Sequence, residues 1–221
     1  MLSIAIAFLL GGIGWTFTEY TLHRWGAHEG ANKLEFRVEH LAHHARTSYF
    51  APTSKKVWAA TRAVVPMAAI GWFAVGWPGV SFALGYVLVY GFYELVHRRI
   101  HTHPPRGPYS RLVRKHHLAH HFVNARSNHG VTSPVWDIVF RTRLDSSAPV
   151  RVPTKLAPLW LFDADGDVRS AFSCDYERRG RRARVSSPHA PDPAPPADVD
   201  GPSASLDGSP SADLGPAPTP A

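Results

Sequence analysis

Between Ala63 and Tyr93 the chain carries no charged side chain, and Trp77-Pro78-Gly79 falls near the middle of that run. As one helix the run would be roughly 46 Å long, whereas a single bilayer crossing takes about 30 Å. A proline followed by glycine is a turn signal that a continuous helix tolerates poorly. The expected fold is therefore a helical hairpin. One arm covers Val57 to Gly76, with the Arg62 head snorkelling, and the other covers Val80 to His101, leaving the membrane near Glu94.

A further span precedes the hairpin. Residues 1–18 are uncharged, and only Glu19 interrupts the run before His23 and Arg24. A signal peptide would need a basic start and a small-residue cleavage pattern before Glu19, and neither is present. In this three-span arrangement Lys33, Arg37, Arg46, Lys55, Lys56, Arg98, Arg99, Arg106, Arg111, Arg114 and Lys115 share one side. The positive-inside rule makes that side cytoplasmic, so the N-terminus and the Trp77-Pro78-Gly79 turn face outward.

Charge divides the rest of the chain. All 24 Lys and Arg lie at or before Arg184, while five of the 17 acidic residues follow it. So basic a body suits nucleic acid or an anionic membrane face, and the long apolar runs select the membrane and exclude nucleic acid. From Val185 the chain holds ten of its twenty prolines and almost no large apolar residue, too little to bury a core. Cys174 is the only cysteine, which rules out an internal disulfide and a CxxC metal site. The expected architecture is an all-α, multi-pass cell-membrane protein: a membrane domain over 1–145 with a cytoplasmic histidine-rich helical cap, a cytoplasmic extension over 146–184, and a disordered tail over 185–221.

Ten of the fourteen histidines fall into four spaced groups: His23 and His28; His40, His43 and His44; His97 and His101; His117, His120 and His121. On a helix, positions i, i+3 and i+4 share a face, so the HxxHH groups project together. His23 and His28 lie about 140° apart on an α-helix, which suits two metals better than one. Two groups precede the hairpin and two follow it, so a double crossing returns all four to one side of the bilayer. Clustered imidazoles without metal would in part protonate and repel, whereas neutral imidazole is the commonest transition-metal ligand. Ten ligands allow about five per ion, more than structural zinc uses. Carboxylates are then expected to take the outer imidazole N–H groups, and Glu19, Glu39 and Glu94 lie close enough in sequence to do so. His103, His129 and His189 read as ordinary surface or loop residues, and His116 lies off the face of its neighbours.

EYTLHRWGAH (19–28), HLAHH (40–44), YELVHRRIH (93–101) and KHHLAHHFVNARSNHGVTSPVWDIVFRT (115–142) together resemble the fatty acid hydroxylase and sterol desaturase superfamily of membrane di-iron enzymes, over about residues 15–145. GVTSPVWDIVF is closest to the fatty acid 2-hydroxylase branch. Arg141 stands where that branch commonly has Gly, and His129 where it has an aromatic residue. The resemblance implies one metal held by His23, His40, His43, His117 and His120, and another by His28, His44, His97, His101 and His121. It implies two iron ions, with zinc as an expression artefact, and O2 as co-substrate for hydroxylating a lipid, favouring the 2-position of an acyl chain. Electrons are expected from a separate ferredoxin- or cytochrome-type protein with its reductase.

Three other functions compete. The His97–His121 stretch also resembles bacterial carotenoid ring hydroxylases, and a sterol-type desaturase or oxidase shares the ligand pattern. A membrane zinc-binding protein would use the histidines without redox chemistry. A zincin protease is disfavoured because His28-Glu29 has no histidine at position 32, and a transporter because the ligands lie outside the apolar runs.

Overall fold

The computed structural model describes residues 1–30, 34–145 and 147–180. Lys33, His189 and the expected tail lie outside them. Helix α1 (Leu2–Thr21) runs without a break into a π-helical segment (Leu22–Glu29), followed by α2 (Glu35–Ala45), α3 (Thr53–Val75), α4 (Trp77–Thr102), α5 (Pro108–Phe122) and the short α6 (Val135–Val139). Three helices are long and apolar enough to cross a membrane: Leu2–Glu29, Thr53–Val75 and Trp77–Thr102.

The hairpin forms, but its turn lies upstream of the predicted tripeptide. Gly76 alone makes the reversal, with φ 71° and ψ −137°, a conformation that costs glycine least. Trp77 already belongs to α4, and Pro78 occupies the first helical turn, where its missing N–H is no loss. Gly79 serves a close approach instead: a Cβ there would lie 2.2 Å from the Gly71 carbonyl carbon. α1 packs on α4 by the same device, since a Cβ on Gly85 would lie 2.0 Å from the Phe8 carbonyl oxygen. Small residues of this kind let membrane helices pack backbone to backbone. α3 buries none of its residues. It meets α4 at Gly71–Gly79 near the turn and again, far from the turn, through an ion pair between Lys56 and Glu94.

Residues 147–180 are more than an appendage. β1 (Val150–Val152) and β2 (Tyr176–Arg178) pair in parallel, adding a minimal sheet to an otherwise helical chain. Val152, Leu161 and Phe172 share one buried core with Ile100 of α4 and Leu118 and Phe122 of α5. Trp160 Nε1 donates to the Ile100 carbonyl at 3.1 Å, and Thr47 Oγ1 to the Leu156 carbonyl at 2.6 Å. This core backs α5 on the side away from its histidines. The sequence offered no sign of it.

Candidate metal centre

All ten grouped histidines converge, and they form two adjoining sets. One set is His23, His28, His40, His44 and His120; the other is His43, His97, His101, His117 and His121. Within each set one nitrogen from every ring lies within 4.8 Å of all the others. His44 and His121 stack across the boundary, with centroids 4.0 Å apart.

These sets differ from the partition implied by the family resemblance: His28 and His44 exchange places with His43 and His117. The reason is local geometry. i→i+5 hydrogen bonding in the π-helical segment widens the turn, which brings residues five apart onto the same side, and the His23 and His28 ring centroids stand 5.2 Å apart. The angle of about 140° holds only for an α-helix. On α2, His40 and His44 are one turn apart and serve one set while His43 serves the other. α5 mirrors this, giving His117 and His121 to one set and His120 to the other. Each set thus takes two rings from one helix, two from a second and one from a third.

The spacing fits a central cation. His28 and His40 Nε2 are 2.9 Å apart, and His120 Nε2 lies 3.1 Å from Nε2 of both His28 and His44. In the other set His43 Nε2 lies 3.1 Å from His97 and 3.2 Å from His101, and His117 lies 3.1 Å from His101 and 3.0 Å from His121. Two ligands at right angles about 2.1 Å from one ion stand about 3.0 Å apart. Protonation states point the same way. Nδ1 donates to a carbonyl in His23 (His129 O), His43 (Tyr49 O, 2.7 Å) and His120 (Ser127 O, 2.7 Å), so in the neutral ring Nε2 keeps its lone pair. His23 Nε2 is buried without a hydrogen-bond partner. Burial holds His40, His117, His120 and His121 well below the ordinary histidine range, and lowers His43 to about 4 and His44 to about 3. Nε2 of His43 and His120 therefore faces its neighbouring rings as an acceptor, the state in which a neutral imidazole binds a cation.

Backbone carbonyls accept from the rings of His23, His43 and His120. None of Glu19, Glu39 and Glu94 is hydrogen-bonded to a grouped histidine. Glu39 pairs with Lys55 (2.7 Å) and Tyr49, and Glu94 with Lys56. Glu19 accepts from the N–H groups of Val131 and Thr132 and from Thr132 Oγ1 (2.8 Å). It reaches His23 indirectly, by strapping the loop whose His129 carbonyl accepts from that ring.

Asp137, which was not singled out in the sequence, holds the same loop. Its carboxylate accepts from the N–H groups of His129 and Gly130 (2.8 Å each), Thr142 Oγ1 (2.7 Å) and His116 Nε2 (3.0 Å). Burial alone would raise its pKa, but hydrogen bonds from His116, then His129, Thr142 and Gly130, outweigh it and the carboxyl lies far below the usual range. His116 thus stays outside both sets, as its helical face predicts, yet it is buried. His129 is fully buried too, with its ring centroid 5.5 Å from that of His23. His103 is exposed at the end of α4.

A cavity of about 370 Å³ adjoins both sets. His40 from one set and His43 and His97 from the other form part of its wall, with Trp15 of α1, Ala59, Ala60 and Ala63 of α3, and Tyr86 and Tyr90 of α4. Lys55, Lys56, Glu39 and Glu94 are among its polar lining residues, and Glu94 lies one helical turn before His97.

The model of the family described as fatty acid hydroxylase matches residues 8–142. The chain belongs to that family. Among other fatty acid hydroxylases, the ceramide very long chain fatty acid hydroxylase scs7 of Schizosaccharomyces pombe is 33% identical over 155 residues, covering 63% of this chain and 43% of that protein. The dihydroceramide fatty acyl 2-hydroxylase FAH1 of Arabidopsis thaliana is 31% identical over 157 residues, covering 64% and 62%. The solved hydroxylase domain of full-length scs7p matches with a TM-score of 0.54 at 28% identity, over 68% of this chain and 60% of that one. The chain spans less than two thirds of the length of either of these relatives.

Proposed function

We propose that this family member is an O2-dependent di-iron hydroxylase of the inner membrane face that oxidises an acyl lipid near its head, favouring the 2-position. The observation that carries the reading is the cavity: an apolar slot with histidines of both sets in its wall, Glu39 next to His40 and Glu94 one turn before His97. Two irons held by His23, His28, His40, His44 and His120 and by His43, His97, His101, His117 and His121 would supply the redox chemistry that opens an unactivated C–H bond to O2. The protein supplies placement. Ala59, Ala60 and Ala63 leave room for an acyl chain, and Lys55 and Lys56, already paired with Glu39 and Glu94, hold a polar head beside His43 and His97. Carbons next to that head lie nearest the metals. The relatives named as fatty acyl 2-hydroxylases support the same choice. A ferredoxin- or cytochrome-type partner with its reductase delivers the electrons.

The test is iron reconstitution of the full chain in bicelles, followed by turnover under isotopically heavy O2 with a reducing system and either free fatty acid or ceramide. A product carrying one heavy oxygen at C2 is expected. If no product takes oxygen from O2, the hydroxylase reading fails, and if oxygen enters far from the head, the substrate placement fails.

A further inference from the structure

We infer that a second cleft, between the end of α4 and α5, binds the phosphate headgroup of an anionic lipid. The cleft holds about 240 Å³ and shares no lining residue with the histidine cavity. Along α4 its wall is formed by Phe92, Leu95, Arg99 and His103, which recur on one helical face and change from apolar to basic toward the helix end. Phe92 and Leu95 are 46% and 51% exposed on a helix long enough to cross a membrane. Arg106 and Arg114 complete the basic end.

The charges there lack acidic partners. Elsewhere Arg24 pairs with Glu29, Lys55 with Glu39, Lys56 with Glu94, and Arg111 and Lys115 with Asp175. Among the described residues, no carboxylate pairs with Arg99, Arg106 or Arg114. Arg114 is buried, and its donors go to the carbonyls of His103 (3.0 Å), Arg99 (2.9 Å) and Ser110 (3.1 Å) and to Ser110 Oγ. A buried guanidinium satisfied only by neutral acceptors leaves a net positive field in the cleft. Arginine is also the side chain best shaped for phosphate oxygens.

The gradient along α4 selects the ligand. Free phosphate uses only the basic end, and a zwitterionic headgroup brings a cation of its own to a cleft whose lining holds no carboxylate to receive it. An acidic protein surface makes no use of the apolar wall running into the span. A lipid with an anionic phosphate uses both ends, in the orientation it already has in a bilayer. Typical whole-ligand pockets measure about 300–1,000 Å³, so this smaller one takes the headgroup and first carbons while the tails follow Phe92 outward. The cleft depends on the membrane placement proposed above but not on the reaction, so lipid binding and hydroxylation can fail separately.

The experiment titrates delipidated full-length protein in detergent with short-chain phosphatidylglycerol, short-chain phosphatidylcholine and inorganic phosphate, reading bound lipid by native mass spectrometry. Phosphatidylglycerol is expected to bind and phosphatidylcholine to bind far more weakly, with millimolar phosphate failing to displace the lipid. Removing two cationic groups in Arg99→Gln/Arg106→Gln is expected to weaken phosphatidylglycerol binding about thirty-fold, with metal content unchanged. Arg111→Gln, which removes a charge already paired outside the cleft, is expected to leave binding intact. Equal binding of both lipids by the wild-type protein, displacement by phosphate, or an equal loss in Arg111→Gln would each overturn the inference.

Discussion

At the scale of single residues, the centre depends on which imidazole nitrogen carries the proton, and that is decided outside the rings. Asp137 fixes His129 and Gly130, and the His129 carbonyl fixes Nδ1 of His23. Asp137→Asn keeps the shape but replaces one acceptor oxygen with a donor, leaving a buried N–H unpaired at about 1–3 kcal/mol. Apparent metal affinity is expected to fall about 10–100-fold, as for other changes to groups that orient ligands, which equilibrium dialysis will measure. His129 makes the opposite case. Neither ring nitrogen is within hydrogen-bond distance of a partner, Nδ1 lying 3.7 Å from Asp137 Oδ1, so His129→Phe removes the cost of burying a poorly satisfied ring while keeping an aromatic group against Tyr20 and His23. The melting temperature is expected to rise, by the equivalent of about 1 kcal/mol, with metal content unchanged; a loss of metal would make this ring a ligand. Spacing alone marked out the ten grouped rings. It could not mark Asp137, a lone carboxylate in a segment noticed only for its family likeness, nor show that His129 is buried, because its role comes from its backbone.

Among the elements, hydrophobic runs and one proline-glycine pair were enough to reveal three spans and a hairpin, because membrane length and backbone satisfaction leave few alternatives. What stayed hidden depended on local hydrogen bonding. The reversal at Gly76 requires only a positive φ, and the π-helical stretch carrying His23 and His28 has no compositional sign. That widened turn puts His28 in the same set as His23. Helix contacts are equally specific. With the Phe8 carbonyl 2.0 Å from where a Cβ would stand on Gly85, Gly85→Val is expected to force α1 off α4 and to destabilise by about 1–3 kcal/mol. Folded yield and thermal unfolding in detergent will read this, and Gly91→Ala, where no atom stands within 4 Å of the added carbon, is the matched control.

Across the whole molecule, the buried neutral imidazoles tie stability to acidity. His43 and His44 have folded pKa values lowered by burial to about 4 and about 3, from an ordinary 6.5. The unfolded chain therefore takes up protons first as pH falls. Their contribution is complete above about 6.5 and drains away between there and about 4, then about 3. The metal-stripped protein is expected to melt at progressively lower temperature across that window, by calorimetry, while the metal-loaded form resists until protons displace the ions. A flat melting curve from pH 7 to pH 4 would contradict the lowered values. The arrangement also governs how two ions bound there would relate. Because α2 and α5 each lend rings to both sets, neither rod can shift to accommodate one ion without disturbing the seat of its neighbour. Occupancy should then behave like a two-pin plug, with chains carrying both ions or neither and the half-filled form scarce at every stage of loading.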